Sequence, residues 1–287
     1  MLFGIWLLEL GIYMSSPPNH VKLFSMHKWD ARDYQQSSGA QLKWGRELIA
    51  KLGLKGAEHV LDIGCGDGKV TAEIASSVPG GYVMGIDSST EMIATARETF
   101  PPDKCRNLRF MVMDALELNF TAKFDVAFSN AVLHWVEDHR SVLKGVHRNL
   151  RSPGKILFQM GGRGNAAVIM NIILSLSKKP LWQSYFVDFQ SPYHFYGIEE
   201  YGNWLKEAGF VARRIELVPK DMTQPGREGL ASWLRTTWHP FFNRIDPARQ
   251  QDFMDQVLDA YLKEYPADAA GLVHMDMVRL EVEAEKP

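Results

Sequence analysis

Cysteine is scarce in this chain, with two in 287 residues, Cys65 and Cys105. That excludes a disulfide framework, and no Cys/His set has the spacing of a metal site. Excess charge of one sign is also missing. Lys and Arg number 32 against 34 Asp and Glu, a net charge of −2. There is no basic field to hold a nucleic acid, and Arg213-Arg214 reads as solvated strand or helix residues. Long apolar runs are lacking too. The stretch from Leu2 to Met14 carries Glu9 and ends at Ser15-Ser16-Pro17-Pro18. It is too short to span a bilayer and has no basic region before it. Residues 1–25 read as an apolar extension, whether a poor signal or anchor, an amphipathic segment, or a stretch upstream of the start the cell uses. The last two are preferred, with a compact domain beginning at Met26. These absences leave a cytoplasmic protein with no membrane or nucleic-acid partner.

A further absence is local. Val60 to Gly68 reads Val-Leu-Asp-Ile-Gly-Cys-Gly-Asp-Gly, an apolar run, an aspartate and three alternating glycines. Lys69 to Ser77 then reads as a helix. The pattern predicts a strand, a tight turn and a helix N-terminus whose backbone N–H groups are open to a ligand. A dinucleotide fingerprint would need its third glycine where Lys69 stands. Asp62 and Asp67 flank the turn, and two carboxylates suit a cationic ligand better than a pyrophosphate. S-adenosyl-L-methionine, with a sulfonium, an ammonium and no phosphate, is the cofactor the loop favours. Cys65 fits as a small buried residue of the turn.

Apolar β-branched runs then recur at βα spacing. Strands are expected at His59–Gly64, Gly81–Asp87, Leu108–Asp114, Phe124–Asn130 and Lys155–Met160. Helices are expected at Gly68–Ser77, Thr90–Phe100 and Asp138–Leu150, the second capped by Ser88-Ser89. Pro153-Gly154 marks the turn into the fifth strand. After Met160 come a helix around Ala166–Ser177, another ending near Ala208-Gly209, and late strands at Phe210–Val218 and Leu272–Val282. Two helices are expected between Gly226 and Tyr265. The alternation predicts a doubly wound, mostly parallel α/β sheet with ligands beyond the strand carboxyl ends. One domain over 26–287 is expected, with lid insertions at about 161–205 and 220–270. Asp87 ends the second strand, placed to accept from ribose hydroxyls. Asp114, followed by Ala115, ends the third and is placed to accept from an adenine amino group. Each alone is also an ordinary strand-end cap.

Val60–Gly68, Gly85-Ile86-Asp87, Met113-Asp114-Ala115 and Phe124–Asn130 resemble the successive motifs of class I S-adenosylmethionine-dependent methyltransferases. The resemblance covers about Leu52 to Met160. It implies a seven-stranded Rossmann-like sheet whose final antiparallel strand is Leu272–Val282. It also implies cofactor contacts from Gly64, Cys65, Gly66 and Gly68, from Asp87 to ribose, and from Asp114 with Ala115 to adenine. Asn130 then lies beside the methionyl portion, and Asp62 and Ser88 complete the expected set.

A narrower resemblance runs from Trp29 to the C-terminus. Trp29-Asp30 with Tyr34, Leu133-His134-Trp135-Val136, Ser191-Pro192-Tyr193-His194 and Glu207-Ala208-Gly209-Phe210 are similar to the trans-aconitate methyltransferases and the insect juvenile hormone acid methyltransferases. Both groups methylate small-molecule carboxylates. A carboxylate is ionised at neutral pH and needs positioning donors rather than a base. Gln41 and Trp135 match positions such relatives would use. Otherwise Gln41 is a solvated helix-face residue and Trp135 a core residue. His134 is either a general base, as an alcohol or amine acceptor would require, or a hydrogen-bonded wall residue. Tyr34 either closes over the cofactor or packs at the surface. Arg163, His194, Arg235 and His239 are the candidate anion readers of the lid, with solvation as the alternative for each. Trp233, Trp238, Phe241 and Phe242 make lid core or a pocket wall. The expectation is an S-adenosylmethionine-dependent methyltransferase that O-methylates a carboxylate of a small-molecule acceptor. The alternatives are N- or C-methylation of another metabolite, or a cofactor-binding protein without catalysis.

Overall fold

The computed structural model describes residues 39–121 and 123–287, with side chains from Trp44 onward. Tyr34 and the expected extension over 1–25 lie outside the described residues, as does the side chain of Gln41. In chain order the elements are α1 (Gly39–Leu52), β1 (His59–Ile63), α2 (Lys69–Ser77), β2 (Tyr82–Asp87), α3 (Thr90–Thr99), β3 (Leu108–Val112) and β4 (Phe124–Asn130). There follow α4 (His139–Asn149), β5 (Leu150–Gly161), α5 (Ala167–Ser177), α6 (Ile198–Ala208), β6 (Val211–Pro225), α7 (Gly226–Thr237), α8 (His239–Phe242), α9 (Pro247–Glu264) and β7 (Leu272–Lys286).

The strands form one sheet in the order β3-β2-β1-β4-β5-β7-β6. The pairs among β1 to β5 are parallel, and β7 runs antiparallel between β5 and β6. The expected antiparallel last strand is therefore present. The order reverses at β1 and β4, so the crevice for a ligand opens beyond Ile63 and Asn130.

Strand side chains alternate between two cores, as a sheet covered on both faces requires. Leu61, Met84, Ala127 and Phe158 pack with Val142 and Val146 of α4 and Leu205 of α6. Val60, Val83, Val126 and Leu157 pack with Leu48 of α1, Ile74 of α2 and Ile93 of α3. Local chemistry sets the helix ends. The Ser89 hydroxyl accepts from the Met92 N–H at 3.2 Å to cap α3, and Asp138 accepts from Ser141 N–H at 3.0 Å to cap α4. Gly209, at φ 88°, ends α6 in the left-handed conformation while Phe210 N–H returns to Leu205 O.

Three elements differ from the sequence reading. β5 starts at Leu150, and Pro153-Gly154 lies inside a register irregularity, with Phe124 opposite Leu150 but Val126 opposite Lys155. β6 continues past Val218 to Pro225, pairing with β7 back to Leu272. It is an edge strand, so Pro219 removes no ladder bond the sheet needs. Three helices rather than two fill the interval to Tyr265. These three, with α5 and the far half of the β6–β7 ribbon, enclose a separate apolar cluster around Trp182, Trp233, Phe241 and Phe253. Among the described residues no helix is long and apolar enough to cross a membrane.

Candidate active site

Three glycines shape the turn after β1. Gly64, Gly66 and Gly68 have φ of 75°, 53° and 83°, where a side chain is strained. A Cβ on Gly64 would stand 2.3 Å from Val132 Cγ1, and one on Gly68 2.6 Å from the Phe110 ring. Gly66 differs, since a Cβ there would meet nothing within 4 Å. The outer glycines permit packing, and the middle one borders open space that a Cβ would fill.

The expectation of open N–H groups at this turn is not met. Gly64 and Cys65 N–H both donate to Ile86 O, at 2.7 and 2.9 Å, and Gly68 N–H donates to Cys65 O. Gly66 N–H donates to Asp87 Oδ2 at 3.0 Å, and Lys69 N–H to Asp67 Oδ1 at 3.3 Å. The turn spends its donors on its own frame, which explains physically why it is no pyrophosphate cradle. Asp67 also departs from its expected part: Lys69 Nζ stands 2.8 Å from it and cancels its charge.

Asp62 is the acid that stays uncompensated. It is 2 % exposed, and Thr71 Oγ1 donates to it at 2.7 Å. Burial, opposed by that hydrogen bond and aided by the nearby Asp87 charge, raises its carboxyl to about 7. Among the described residues no lysine, arginine or histidine pairs with Asp62 or Asp87. Asp87 is half-buried and likewise raised by burial, against the Ser89 and Gly66 N–H groups it accepts from. Two acids held reluctant to ionise beside the open space at Gly66 fit a cationic ligand.

The other predicted cofactor residues line the same carboxyl edge. Ser88 is exposed beside Asp87. Asp114 is exposed and accepts from Leu116 N–H at 2.9 Å, the cap reading, while Ala115 packs partly on the core. Asn130 ends β4 with its amide against Gly45 of α1. Cys65 is buried, and desolvation and neighbouring acids raise its thiol, which disfavours the thiolate.

A cavity begins where β4 ends. Ala131, at φ 60°, turns the chain into the short helical turn Leu133–Trp135. His134 and Trp135 line the cavity with Trp44 of α1, Tyr193, and Trp233 and Trp238 of the lid. The ring of Trp135 lies 4.7 Å from Tyr193 and stacks at 5.8 Å on His239. Trp233, Trp238, Phe241 and Phe242 are thus all lid core, and the two indoles are pocket wall as well. His134 is buried, and Gly161 N–H donates to its Nδ1 at 3.3 Å. A backbone N–H must donate, so the ring proton sits on Nε2. Burial, then the Arg279 charge, then His139, hold this histidine well below its ordinary range. Beneath it, His139 donates from Nε2 to Leu133 O at 2.8 Å and accepts from the Tyr201 hydroxyl. Burial takes His139 down to about 4 despite the Leu133 and Val136 carbonyls, which act to raise it.

The lid cations named from sequence do not assemble here. Arg163 pairs with Glu200, and Arg235 is exposed. His194 stacks on Tyr196, and His239 Nδ1 meets Thr236 O. The cation in the cavity wall is instead Arg279 of β7, 3 % exposed, over the Trp44 ring at 5.1 Å. The sequence reading missed it together with Trp44 and Thr71. Among the described residues no group of three His, Cys, Asp or Glu could hold a metal ion.

Residues 60–154 match the family described as the methyltransferase domain. An uncharacterized methyltransferase of Schizosaccharomyces pombe, C70.08c, is 32% identical over 225 residues, covering 74% of this chain and 83% of that protein. The trans-aconitate 2-methyltransferase of Methylobacterium nodulans is 27% identical over 262 residues, covering 91% and 99%. The solved structure of Haemonchus contortus phosphoethanolamine N-methyltransferase 2 superposes with a TM-score of 0.59 at 22% identity, covering 95% and 61%. The fold and the turn after β1 thus define a methyltransferase. The chain belongs to the class I S-adenosylmethionine-dependent methyltransferases, and S-adenosyl-L-methionine is its cofactor.

Proposed function

We propose that this enzyme transfers a methyl group to a carboxylate oxygen of a small-molecule acid bound between α1, the Ala131–Trp135 turn and the lid. One observation carries the reading. The histidine of the cavity holds its proton on Nε2 and stays neutral, so among the described residues the cavity wall offers no base to an alcohol or ammonium. An acceptor must therefore arrive already ionised. Relatives named trans-aconitate 2-methyltransferase support the same choice.

When bound, the cofactor supplies an electrophilic methyl group. The chain's own residues do the rest by binding, orientation and exclusion of water. Asp62 and Asp87 give the cationic and hydroxyl groups of the cofactor their acceptors. Gly66 leaves room for it at the turn, flanked by Gly64, Cys65 and Gly68. Ser88, Asp114 and Ala115 border the nucleoside side, with Asn130 next to the transferred group. Trp135 and Gln41 orient the acceptor, and Tyr34 closes over the cofactor from the N-terminal side. His134 acts as a neutral wall donor.

Labelled cofactor offered with panels of small acids, phenols and amines tests the reading. Label in acid-labile esters is expected. Turnover confined to phenols or amines would reject the carboxylate and return His134 to the part of base.

A further inference from the structure

We propose that Asn165 holds the reacting group of the acceptor. Its side-chain Nδ2 donates to a carboxylate oxygen of the small-molecule acid, and the indole N–H of Trp238 is a second neutral donor. The inference rests on the methyl-transfer reading above and deepens it.

The backbone dictates which way the Asn165 amide faces. β5 pairs with β7 as far as Gly161, opposite Arg279. The chain then leaves the sheet through Gly162 to Gly164, the last at φ 85°. Asn165 N–H closes this turn onto Gly162 O at 2.9 Å. Val278 of β7 clamps the turn twice. Gly162 N–H donates to Val278 O at 2.9 Å, and Val278 N–H donates to Asn165 Oδ1 at 3.1 Å. A backbone N–H can only donate, so the side-chain atom it meets is the carbonyl oxygen and the NH2 group is turned the other way. The clamp uses the oxygen and leaves both N–H bonds of Nδ2 for other acceptors.

That group sits at the carboxyl end of β5, on the side where ligands bind. Asn165 is 6 % exposed and lines the cavity with His134, Trp135 and Phe195. A Cβ on Gly161 would stand 3.0 Å from its Nδ2 and 2.7 Å from the Phe195 ring. Gly161 is also the residue whose N–H meets His134 Nδ1. The amide is thus locked beside the turn that carries His134 and Trp135.

Trp238 adds an independent sign of a ligand. It lies in the wall of the same cavity, and its indole Nε1 is buried with no hydrogen-bond partner among the described residues. A buried donor of this kind needs an acceptor. A carboxylate has about four lone-pair sites and can take both groups. Neutral donors also suit a nucleophile. They can orient it through one oxygen and leave the other for the methyl group, where a guanidinium fork would engage both.

The test titrates the full-length protein, saturated with S-adenosylhomocysteine, by calorimetry with octanoate, benzoate and trans-aconitate. KM and kcat follow for whichever of the three accepts labelled methyl. Asn165→Asp is the decisive variant. An aspartate oxygen still accepts from Val278 N–H, while the donor at Nδ2 becomes an acceptor. The acids that bind the wild type should bind this variant roughly ten- to a hundredfold more weakly, the factor a hydrogen bond to a charged group is worth. Its affinity for S-adenosylhomocysteine should be unchanged. Trp238→Phe should weaken the same acids several-fold. Should Asn165→Asp fail to fold, a crystal structure of the wild type with S-adenosylhomocysteine and the tightest of the three acids decides. A carboxylate oxygen about 3 Å from Nδ2 supports the contact, and one out of hydrogen-bond reach overturns it. Undiminished acid binding by Asn165→Asp, an equal loss of S-adenosylhomocysteine binding, or no binding of any of the three acids would also overturn it. Esters formed with an unchanged KM in Asn165→Asp would overturn this inference alone. Asn165-dependent binding of acids with methyl transfer only to amines or phenols would overturn the reaction and leave the contact standing.

Discussion

Replacing Asp62 by asparagine should stabilise the cofactor-free enzyme above neutral pH. Asparagine keeps the volume and an oxygen for the Thr71 hydroxyl, which donates at 2.7 Å, and removes only the charge. Moving a carboxyl from its ordinary 3.8 to about 7 corresponds to on the order of 4 kcal/mol. The sign follows from which state binds the proton. The folded state holds it more tightly, so the stability Asp62 contributes is fully present below about pH 4 and is lost as the pH rises through about 7. The variant should gain on the wild type across that window and keep the gain above it.

His139 complicates the wild-type curve, because its folded value of about 4 lies below its ordinary 6.5. Its contribution is present above 6.5 and is lost as the pH falls through about 4, opposite in sign to that of Asp62. The two overlap, so the wild-type profile alone is uninformative and the difference between variant and wild type is the quantity to measure. Urea denaturation of both proteins at about pH 4, 6 and 8 gives it. A variant less stable than wild type at about pH 8, or a difference that does not change with pH, would refute the reasoning. The same logic requires a cationic ligand to ionise Asp62. Calorimetric titration with the cofactor near pH 6.5, in buffers of different ionisation enthalpy, should show proton release in the wild type and less in Asp62→Asn.

The two glycine positions should separate binding from folding. Gly66→Ala faces open space and should cost roughly 1–2 kcal/mol for its left-handed backbone, yet weaken S-adenosylhomocysteine severalfold or more by calorimetry. Gly64→Ala meets Val132 at 2.3 Å and should cost about 3 kcal/mol or more in thermal unfolding. With cofactor and acid saturating, kcat should be flat from about pH 6 to 8, because His134 stays neutral and the acceptor is ionised. An inflection in that range that His134→Asn removes would contradict this. Glu281 is buried and accepts from Lys51 and Arg214, each at 2.6 Å, and from Gln159 at 2.8 Å. Burial alone would raise its carboxyl, but these donors hold it below its ordinary value. Glu281→Gln should cost about 2 kcal/mol and speed proteolysis in the segment joining α1 to β1, read by mass spectrometry.

The turn after β1 and the acids beside it were legible because they are local. The turn, its helix and the acids at the ends of β1 and β2 lie within a few dozen residues, and each is forced by backbone geometry. What stayed hidden was which donors the turn would keep, since Ile86 and Asp87 take them from the neighbouring strand. The acceptor half is assembled from distant segments, Trp44, Ala131 to Trp135, Tyr193, Trp233 to Trp238 and Arg279. Arg279 sits in a run where charges alternate with apolar residues to Lys286, which reads as one solvated strand face. The insertion of β7 between β5 and β6 buries Arg279 and Glu281 instead. The signal available was the resemblance's final antiparallel strand, which made Leu272–Val282 part of the sheet although it carries an arginine. The length of β6 was obscured for the opposite reason, because an edge strand tolerates Pro219 and polar residues on both faces.

Asp62 and Arg279 together say more about the reaction than either alone. Asp62 stands on β1 and Arg279 on β7, with β4 and β5 between them, and both are almost wholly withdrawn from water. The carboxyl edge thus buries an acid at one end and a base at the other. Transfer from a sulfonium to a carboxylate joins two opposite charges and leaves none, so a dry site penalises the separated reactants more than the charge-dispersed transition state. An amine acceptor kept neutral would bring no charge to cancel the sulfonium, and an alcohol would find no base among the described residues of the wall. The proposed acid acceptor is in keeping with that charge balance. It also predicts that placing a second carboxylate in the acceptor wall, as Met277→Glu, should abolish acid binding while leaving S-adenosylhomocysteine binding intact. Retained turnover of acids in that variant would show that the acceptor does not sit against Met277.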